Sequence, residues 1–168
     1  MERFSYAKFH HKLSAFYRAR PRAAKALFWV DKTVTAFVFL AYTVGAILLI
    51  HSEKLFSKAF LRFALPPFSA LLIVSVLRLL IKRKRPYENG IEPLFKKEKT
   101  GNSFPSRHST SAFSIGVTLL PVCFPLGITV LCLGITFLYT RAAIGWHYPS
   151  DLICGGILGG AIGAFAFL

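Results

Sequence analysis

The sequence predicts an all-α membrane protein, a polytopic bundle of about five transmembrane helices preceded by an interfacial amphipathic helix. Hydrophobic residues make up 54% of the 168 positions, and they occur in long runs rather than in the gapped patterns of soluble domains. Four stretches carry no charged residue: 33–50, 63–77, 109–140 and 152–168. Because a span needs roughly 20 residues, the third stretch is long enough for two helices.

The chain is expected to form a single domain over residues 1–168. Pro121 and the segment Phe124-Pro125-Leu126-Gly127 divide the long third stretch into a helical hairpin. The second stretch is short, but flanking arginines can extend it if they reach the interface or face the bundle. The five predicted spans cover about residues 33–50, 59–82, 106–124, 126–144 and 150–168.

Residues 1–32 are basic and aromatic, which suits an amphipathic helix lying in the membrane interface and broken near Pro21. The alternative is a poorly ordered basic tail. The whole chain has a formal net charge of +14. In a soluble protein this charge would suggest nucleic acid. In a membrane protein it indicates attraction to the anionic lipid bilayer or to phosphate esters, so no nucleic-acid partner is expected.

The last predicted span carries small residues at helical spacing, with Gly155, Gly159 and Gly163 four residues apart. Such a face allows two helix backbones to approach closely. Packing within the bundle is the simpler interpretation, and a homodimer contact through this helix is the alternative.

Polar residues concentrate at one end of the predicted bundle. Because successive spans alternate in direction, the segments Arg78–Arg85, Ser106–His108, Arg141 and His147–Asp151 all fall on the same membrane face. We call this end of the bundle the mouth. Charged groups within membranes are expensive and usually functional, so their convergence predicts one active site.

The first two segments of the mouth suit a phosphate group. Arg78 and Arg85 are seven residues apart, which on a helix places both guanidinium groups on nearly one face. The planar guanidinium matches the geometry of phosphate oxygens. The Ser106 turn opens a helix whose free N–H groups would bind an anion, and His108 could donate a proton there.

The last two segments form one continuous stretch, Arg141–Asp151, which suits a nucleophile. His147 and Asp151 are four residues apart, a spacing that can bring the carboxylate to one imidazole nitrogen and leave the other free to attack. Taken alone, such a pair would more often be a structural contact. The neighbouring Trp146 and Tyr148 are expected to be interfacial anchors.

Together the three segments resemble the type 2 phosphatidic acid phosphatase (PAP2) superfamily, which includes lipid phosphatases, bacterial class A acid phosphatases and vanadium haloperoxidases. The family pattern is Lys-x6-Arg-Pro, then Pro-Ser-Gly-His, then Ser-Arg-x5-His-x3-Asp. Order and spacing match between positions 78 and 151, nearly half of the chain. Three positions depart from the pattern: Arg78 replaces lysine, Arg107 replaces glycine and Thr140 replaces serine.

The resemblance implies an integral membrane phosphatase that forms a phosphohistidine. His147 would be the nucleophile, Asp151 would orient it, and His108 would protonate the leaving oxygen. The phosphoryl oxygens would be held by the remaining site residues, Arg78, Arg85, Ser106, Arg107 and Arg141. This scheme needs no metal or other cofactor, and the seven acidic residues of the sequence form no carboxylate cluster suited to magnesium.

Substrate, side of the membrane and alternative activities stay open at this stage. The resemblance implies a membrane lipid phosphate as the substrate: phosphatidylglycerophosphate, phosphatidate or undecaprenyl diphosphate. The loop Tyr87–Asn102 and the N-terminal segment are expected to select the head group. A bacterial plasma membrane with the mouth on the extracytoplasmic side is favoured slightly, although the positive-inside tendency counts against it. A haloperoxidase-like oxidase on the same residues and a non-enzymatic protein that binds anionic lipid are the alternatives.

Overall fold

The computed structural model describes residues 2–52, 57–97 and 100–168, and the side chains from residue 6 onward within these ranges. This part of the chain contains α-helices and two short 3-10 helices, Pro86–Asn89 and Ala164–Phe167, and no strand. The α-helices are α1 (Glu2–Arg18), α2 (Pro21–Ser52), α3 (Lys58–Ile81), α4 (Arg107–Leu119), α5 (Phe124–Ile144) and α6 (Pro149–Gly163).

The predicted fold class, a polytopic helical membrane protein, is confirmed. Four segments of the described chain are long and apolar enough to cross a membrane: Pro21–Ser52, Lys58–Asn89, Phe124–Ile144 and Pro149–Phe167. The predicted span at 106–124 differs from these four. It corresponds to α4, which has 13 residues and is therefore only about 20 Å long. Helix α4 is enclosed by α2, α3, α5 and α6, so it forms the centre of the bundle.

The first long helix begins earlier than the sequence suggested. Helix α2 starts at Pro21, inside the segment expected to lie at the interface, and continues without a break to Ser52. Proline is well tolerated in the first turn of a helix because its missing N–H needs no partner there. The following residues, rich in alanine and leucine, favour helix. Pro21 therefore starts α2, and the interruption between α1 and α2 lies just before it, at residues 19–20.

Helix α1 packs against the mouth of the bundle. Its buried residues Tyr6, His10 and Ser14 lie four apart and share one face. The Tyr6 hydroxyl donates a hydrogen bond of 2.8 Å to the carbonyl oxygen of Ala142 near the end of α5. The face of α1 that carries Tyr6, His10 and Ser14 therefore packs against protein.

The glycine face of α6 packs against α4 within the same chain. A Cβ atom added at Gly155 would lie 2.7 Å from the carbonyl oxygen of Ser106, and one added at Gly163 would lie 2.9 Å from that of Ser114. Only glycine permits such close approach of the two backbones. The structure uses this face for intramolecular packing, and the alternative of a homodimer contact through it finds no support.

We predict that Gly159→Ala lowers the thermal stability of the protein. The added methyl group would overlap the backbone carbonyl of Thr110, and overpacking of this kind costs about 1–3 kcal/mol. Thermal unfolding in detergent micelles measures the effect. The matched control is Gly160→Ala on the same helix, because nothing lies within 4 Å of the new methyl group. Equal melting temperatures for the two variants would contradict the packing described here.

Candidate active site

The loop between α5 and α6 carries His147 into the centre of the mouth. Helix α5 ends at Ile144, and Gly145 follows it with a left-handed φ of 88°, a conformation that glycine adopts without strain. The turn reverses the chain direction, and α6 begins at Pro149. His147 lies between the two helices with only 2% of its surface exposed.

Hydrogen bonds define the orientation of the His147 ring. Arg85 Nη1 lies 3.3 Å from Nε2 of His147, and since a guanidinium can only donate, Nε2 must carry a lone pair. On the other side of the ring, Nδ1 lies 3.3 Å from Ser103 Oγ. The arrangement fits a neutral imidazole that is protonated on Nδ1, with the nucleophilic lone pair on Nε2.

Ser103 connects His147 to Asp151. The Ser103 hydroxyl donates a short hydrogen bond to Oδ2 of Asp151, so its oxygen can accept the Nδ1 proton of His147. The direct distance from His147 Nδ1 to Asp151 Oδ2 is 3.6 Å, which is longer than a hydrogen bond. The predicted proximity of the His–Asp pair is therefore observed, but a serine that the sequence analysis missed bridges it.

Asp151 is fully buried, and several donors stabilise its negative charge. Arg83 Nη1 lies 2.8 Å from Oδ1, and the backbone N–H of Tyr148 donates to Oδ2 at 3.1 Å. The carboxylate also lies in the first turn of α6, where the helix dipole favours an anion. Arg83 was not among the predicted site residues.

The pKa of the His147 imidazole is lowered to about 4. Burial is the largest cause, because the charged imidazolium loses its hydration, and the positive charge of Arg85 adds to it. The interaction with Asp151 acts in the opposite direction. His147 is consequently neutral at pH 7, the protonation state that a nucleophile requires.

Arg141 is held by Asp31, a residue that the sequence analysis did not assign to the site. Nε of Arg141 lies 2.8 Å from Oδ1 of Asp31, and Nη2 donates to Oδ2 at 2.9 Å. Thr140 also donates to this carboxylate, at 3.3 Å. The remaining nitrogen, Nη1 of Arg141, is buried and has no hydrogen-bond partner in the described part of the chain. A bound oxyanion would satisfy this donor.

Arg78 and Arg85 reach the mouth from different elements, so the prediction that they share one helix face is wrong. Helix α3 ends at Ile81, and Lys82 follows in the left-handed conformation. Arg85 has extended backbone before Pro86, because proline disfavours helical geometry in the residue that precedes it.

The two arginines also have different contacts. Arg78 Nη1 donates to the carbonyl oxygen of Pro105 at 3.0 Å, which holds the loop before α4. Arg85 Nη1 donates to the carbonyl oxygen of Trp146 at 3.3 Å and to His147, as described above.

The turn at the start of α4 joins the same site. Ser106 is the N-cap of α4, is fully buried, and its N–H donates to the carbonyl oxygen of Asp151 at 2.9 Å. Arg107 and His108 form the first turn of the helix. The charges of Arg141 and His147 act on His108, so the structure places all three groups in one electrostatic environment.

A cavity of about 180 Å³ extends from His108 between α2, α3, α4 and α5. Thr35, Arg107 and Ser111 provide polar groups, and the remaining lining is apolar: Val38, Phe39, Leu71 and Phe137. Phe39 and Leu71 are themselves large exposed hydrophobic residues, with 56% and 45% of their surfaces accessible. The cavity therefore connects the mouth with the apolar outer surface of the bundle.

The prediction that Trp146 and Tyr148 are interfacial anchors is wrong, because both side chains are buried, at 4% and 1% exposure.

Two residues of the loop expected to select the head group, 98 and 99, lie outside the described residues. Within the described chain no group of three or more His, Cys, Asp or Glu residues is placed to hold a metal, and metal-independence stays a prediction.

Fold and site together define a helical membrane protein with a buried histidine facing arginine side chains. The chain belongs to the PAP2 superfamily: the model of that family matches residues 38–168. The resemblance stated from the three sequence motifs is thus confirmed.

The chain is similar to a curated relative and to solved structures of other proteins. The lipid A 4'-phosphatase of Bacteroides thetaiotaomicron is 36% identical over 94 residues, 51% of this chain and 42% of the relative. The chain therefore matches less than half of the length of that relative.

Both solved structures share the fold at low sequence identity. Aquifex aeolicus LpxE superimposes with a TM-score of 0.62 at 21% identity, over 83% of this chain and 86% of the other. A transmembrane PAP2-type phosphatidylglycerolphosphate phosphatase from Bacillus subtilis superimposes with a TM-score of 0.61 at 20% identity, over 99% and 94%.

We predict that Asp31→Asn strongly destabilises the protein. The substitution leaves the buried charge of Arg141 without its counterion, and breaking a buried ion pair costs about 3–5 kcal/mol. Thermal unfolding in detergent measures the loss. Glu92→Gln is the matched control, because it breaks the exposed Arg18–Glu92 pair at 2.9 Å, and exposed pairs contribute about 0–1 kcal/mol. A melting temperature of Asp31→Asn equal to that of the control would exclude a stabilising role for the buried pair.

Proposed function

We propose that the protein is an integral membrane phosphatase that hydrolyses a lipid phosphate monoester or a polyprenyl diphosphate through a phosphohistidine intermediate. The observation that carries the proposal is the state of His147: its ring is neutral and buried, and its Nε2 lone pair faces Arg85. A simple anion-binding protein needs cations but has no use for an oriented nucleophile. Membership of the PAP2 superfamily supports the same activity.

The phosphoryl group would bind between the arginines of the mouth. Arg85 points at the nucleophile, and Nη1 of Arg141 is buried with a free donor. Ser106 and Arg107 at the start of α4 would add donors and the positive end of the helix dipole. Arg78 would add positive charge while it holds the loop before α4. Fixed cations in a site with little water stabilise the charge of a phosphoryl transition state.

The reaction would proceed in two displacements. In the first, Nε2 of His147 attacks phosphorus, and a P–N bond forms as the P–O bond to the lipid breaks. The negative charge of a phosphate bound beside His108 would favour the protonated ring, which donates its proton to the leaving oxygen, and Asp151 stabilises the imidazolium of His147 through Ser103. In the second, water attacks phosphorus and gives a proton to His108. The P–N bond then breaks, its electron pair returns to Nε2, and inorganic phosphate leaves.

A lipid substrate is supported by the cavity that begins at His108. Its inner end carries polar groups, and its outer end is bordered by Phe39 and Leu71 on the apolar surface. A phosphate at the mouth would leave the hydrocarbon part of the substrate in contact with this apolar wall. Phosphatidylglycerophosphate, phosphatidate and undecaprenyl diphosphate all fit this description. The lipid A 4'-phosphatase relative adds phosphorylated lipid A to the candidates.

We place the protein in a bacterial plasma membrane with the mouth on the extracytoplasmic side. The positive-inside tendency argues for the opposite orientation. Several cations of the mouth are, however, engaged in buried contacts: Arg141 with Asp31, Arg83 with Asp151 and Arg78 with loop carbonyls. Such residues belong to the site and give little information about topology.

We predict that His147→Ala abolishes phosphate release while association with lipid vesicles persists. The variant removes the nucleophile but leaves the arginines. Release of inorganic phosphate is measured over a panel of phosphatidate, phosphatidylglycerophosphate, undecaprenyl diphosphate and lipid A, with and without EDTA. The matched control is His51→Ala, an exposed histidine at the other end of α2. Residual hydrolysis in the His147 variant near the wild-type rate would refute the assignment, and loss of wild-type turnover in EDTA would refute the metal-independent scheme.

We predict that a cysteine introduced at Lys96 reacts with a membrane-impermeant maleimide added to intact cells. Lys96 is exposed in the loop above the mouth. The background is a chain in which Cys123, Cys132 and Cys154, all free, are replaced by serine. Labelling only after the membrane is permeabilised would place the mouth in the cytoplasm.

A further inference from the structure

Three cationic side chains surround Trp146 beside the candidate nucleophile. Lys97 Nζ lies 4.0 Å from the centre of the Trp146 ring, Lys32 Nζ lies 5.9 Å from it and Arg141 Cζ lies 5.9 Å from it. We call these three residues the cation cluster. Arg141 is paired with Asp31. Within residues 2–52, 57–97 and 100–168, neither lysine forms an ion pair with a carboxylate.

The loop that carries Lys97 is fixed to the end of α5. The N–H of Leu94 donates to the carbonyl oxygen of Ile144 at 2.9 Å, and the indole Nε1 of Trp146 donates to the carbonyl oxygen of Phe95 at 3.2 Å. These two hydrogen bonds hold the backbone just before Lys97 against the site. The position of its ammonium group is therefore determined by the fold and is not that of a free surface lysine.

The cation cluster adjoins the proposed phosphoryl pocket. Trp146 directly precedes His147, and Arg85 Nη1 contacts both the Trp146 carbonyl oxygen and His147 Nε2. The charge of Lys97 also acts on His108. A substrate whose reacting phosphorus lies at His147 would thus bring its next group close to Lys97.

The environment of Lys97 has an excess of positive charge. Burial is the largest cause that lowers the pKa of Lys97, to about 7, and the nearby charges of Arg141, Arg85 and Lys32 act in the same direction, whereas the charge of Asp31 raises it. Keeping several like charges together in a half-buried site is unfavourable unless an anion joins them. An anionic group beside Lys97 would offset the repulsion between these positive charges and favour the protonated ammonium of Lys97.

We propose that Lys97 and Lys32, positioned by Trp146, form a second anion subsite that binds a further phosphate of the same substrate molecule. The inference rests on the proposed phosphatase function and narrows its substrate class. The preferred substrate would carry a second phosphate next to the reacting one, either as the other half of a diphosphate or as a phosphodiester in the head group. A lipid with one phosphate would fill the phosphoryl pocket and leave the cation cluster empty.

Matched pairs of substrates test the subsite in the purified full-length protein in detergent. Farnesyl monophosphate and farnesyl diphosphate share a chain and differ by one phosphate, and phosphatidate and phosphatidylglycerophosphate differ by a phosphodiester. We expect Lys97→Gln to raise KM about tenfold for the substrates with two phosphates and less than about twofold for the others, since a charge-assisted hydrogen bond is lost only from the former. If KM rises selectively in only one of the two substrate pairs, that pair identifies whether a diphosphate or a phosphodiester binds at Lys97. Lys97→Arg should retain the preference.

Lys96→Gln is the matched control, because Lys96 is the exposed neighbour of Lys97 in the same loop. It should leave all four KM values unchanged. An equal loss on mono- and diphosphorylated substrates in Lys97→Gln would overturn the proposal and assign Lys97 to the reacting phosphate. Unchanged KM values in that variant would overturn it as well. Lys32→Gln, on a different element, provides a second variant if Lys97→Gln fails to fold.

A binding measurement separates this inference from the proposed activity. Inorganic pyrophosphate should raise the melting temperature of the His147→Ala variant more than inorganic phosphate does, and Lys97→Gln in that background should remove the difference. If wild-type protein hydrolyses no phosphorylated lipid but this difference is present and depends on Lys97, the phosphatase function fails and the subsite stands. If hydrolysis occurs but pyrophosphate and phosphate have equal effects, the subsite fails alone.

Discussion

Close contact between α4 and α6 is the constraint on which the site depends. The glycines of α6 allow its backbone to lie against that of α4, and the N–H of Ser106 donates to the carbonyl oxygen of Asp151 where the two helices begin. This contact places the first turn of α4, which carries Arg107 and His108, beside the first turn of α6. A larger side chain on that face would separate the two helices and move His147 and Asp151 away from the first turn of α4. The small residues of α6 therefore determine the geometry of the site without contacting a substrate.

Three arginines of the mouth have different partners. Arg141 uses a carboxylate from α2, Arg83 uses the carboxylate of Asp151, and Arg78 uses carbonyl oxygens of the loop before α4. A guanidinium has five N–H groups, and Nη1 of Arg141 keeps a buried donor without a partner among the described residues. This donor, together with Lys97 and Lys32, gives the mouth an excess of positive charge. In the proposed function, a phosphorylated ligand would bring the compensating negative charge.

The sequence predicted features that repeat or alternate along the chain, and it missed features that depend on distant pairs. Long apolar runs predicted the fold class, and the alternating direction of the spans predicted which segments lie together at the mouth. Asp31 and Arg141, by contrast, are 110 residues apart, and no local pattern connects them. Ser103 lies in an irregular loop whose path is fixed only by tertiary contacts. The helical spacing assumed for Arg78 and Arg85 failed because a left-handed Lys82 and the proline after Arg85 end the helix between them. Asp31 is the sole acidic residue between Glu2 and Glu53 and lies just before a long apolar run, and this position was a signal that could have revealed the partner of Arg141.

The contact between α1 and α5 has a consequence for biosynthesis. The Tyr6 hydroxyl and its acceptor at Ala142 are separated by 136 residues, and at about 5–20 residues per second the ribosome needs on the order of ten seconds to make the intervening chain. During that interval α1 exists without its docking surface, because the end of α5 has not been synthesised. Its apolar face can meanwhile be accommodated by lipid head groups, as its amphipathic composition permits. Docking of α1 at the mouth thus requires that α5 has been synthesised, so this contact forms late in translation although α1 is made first.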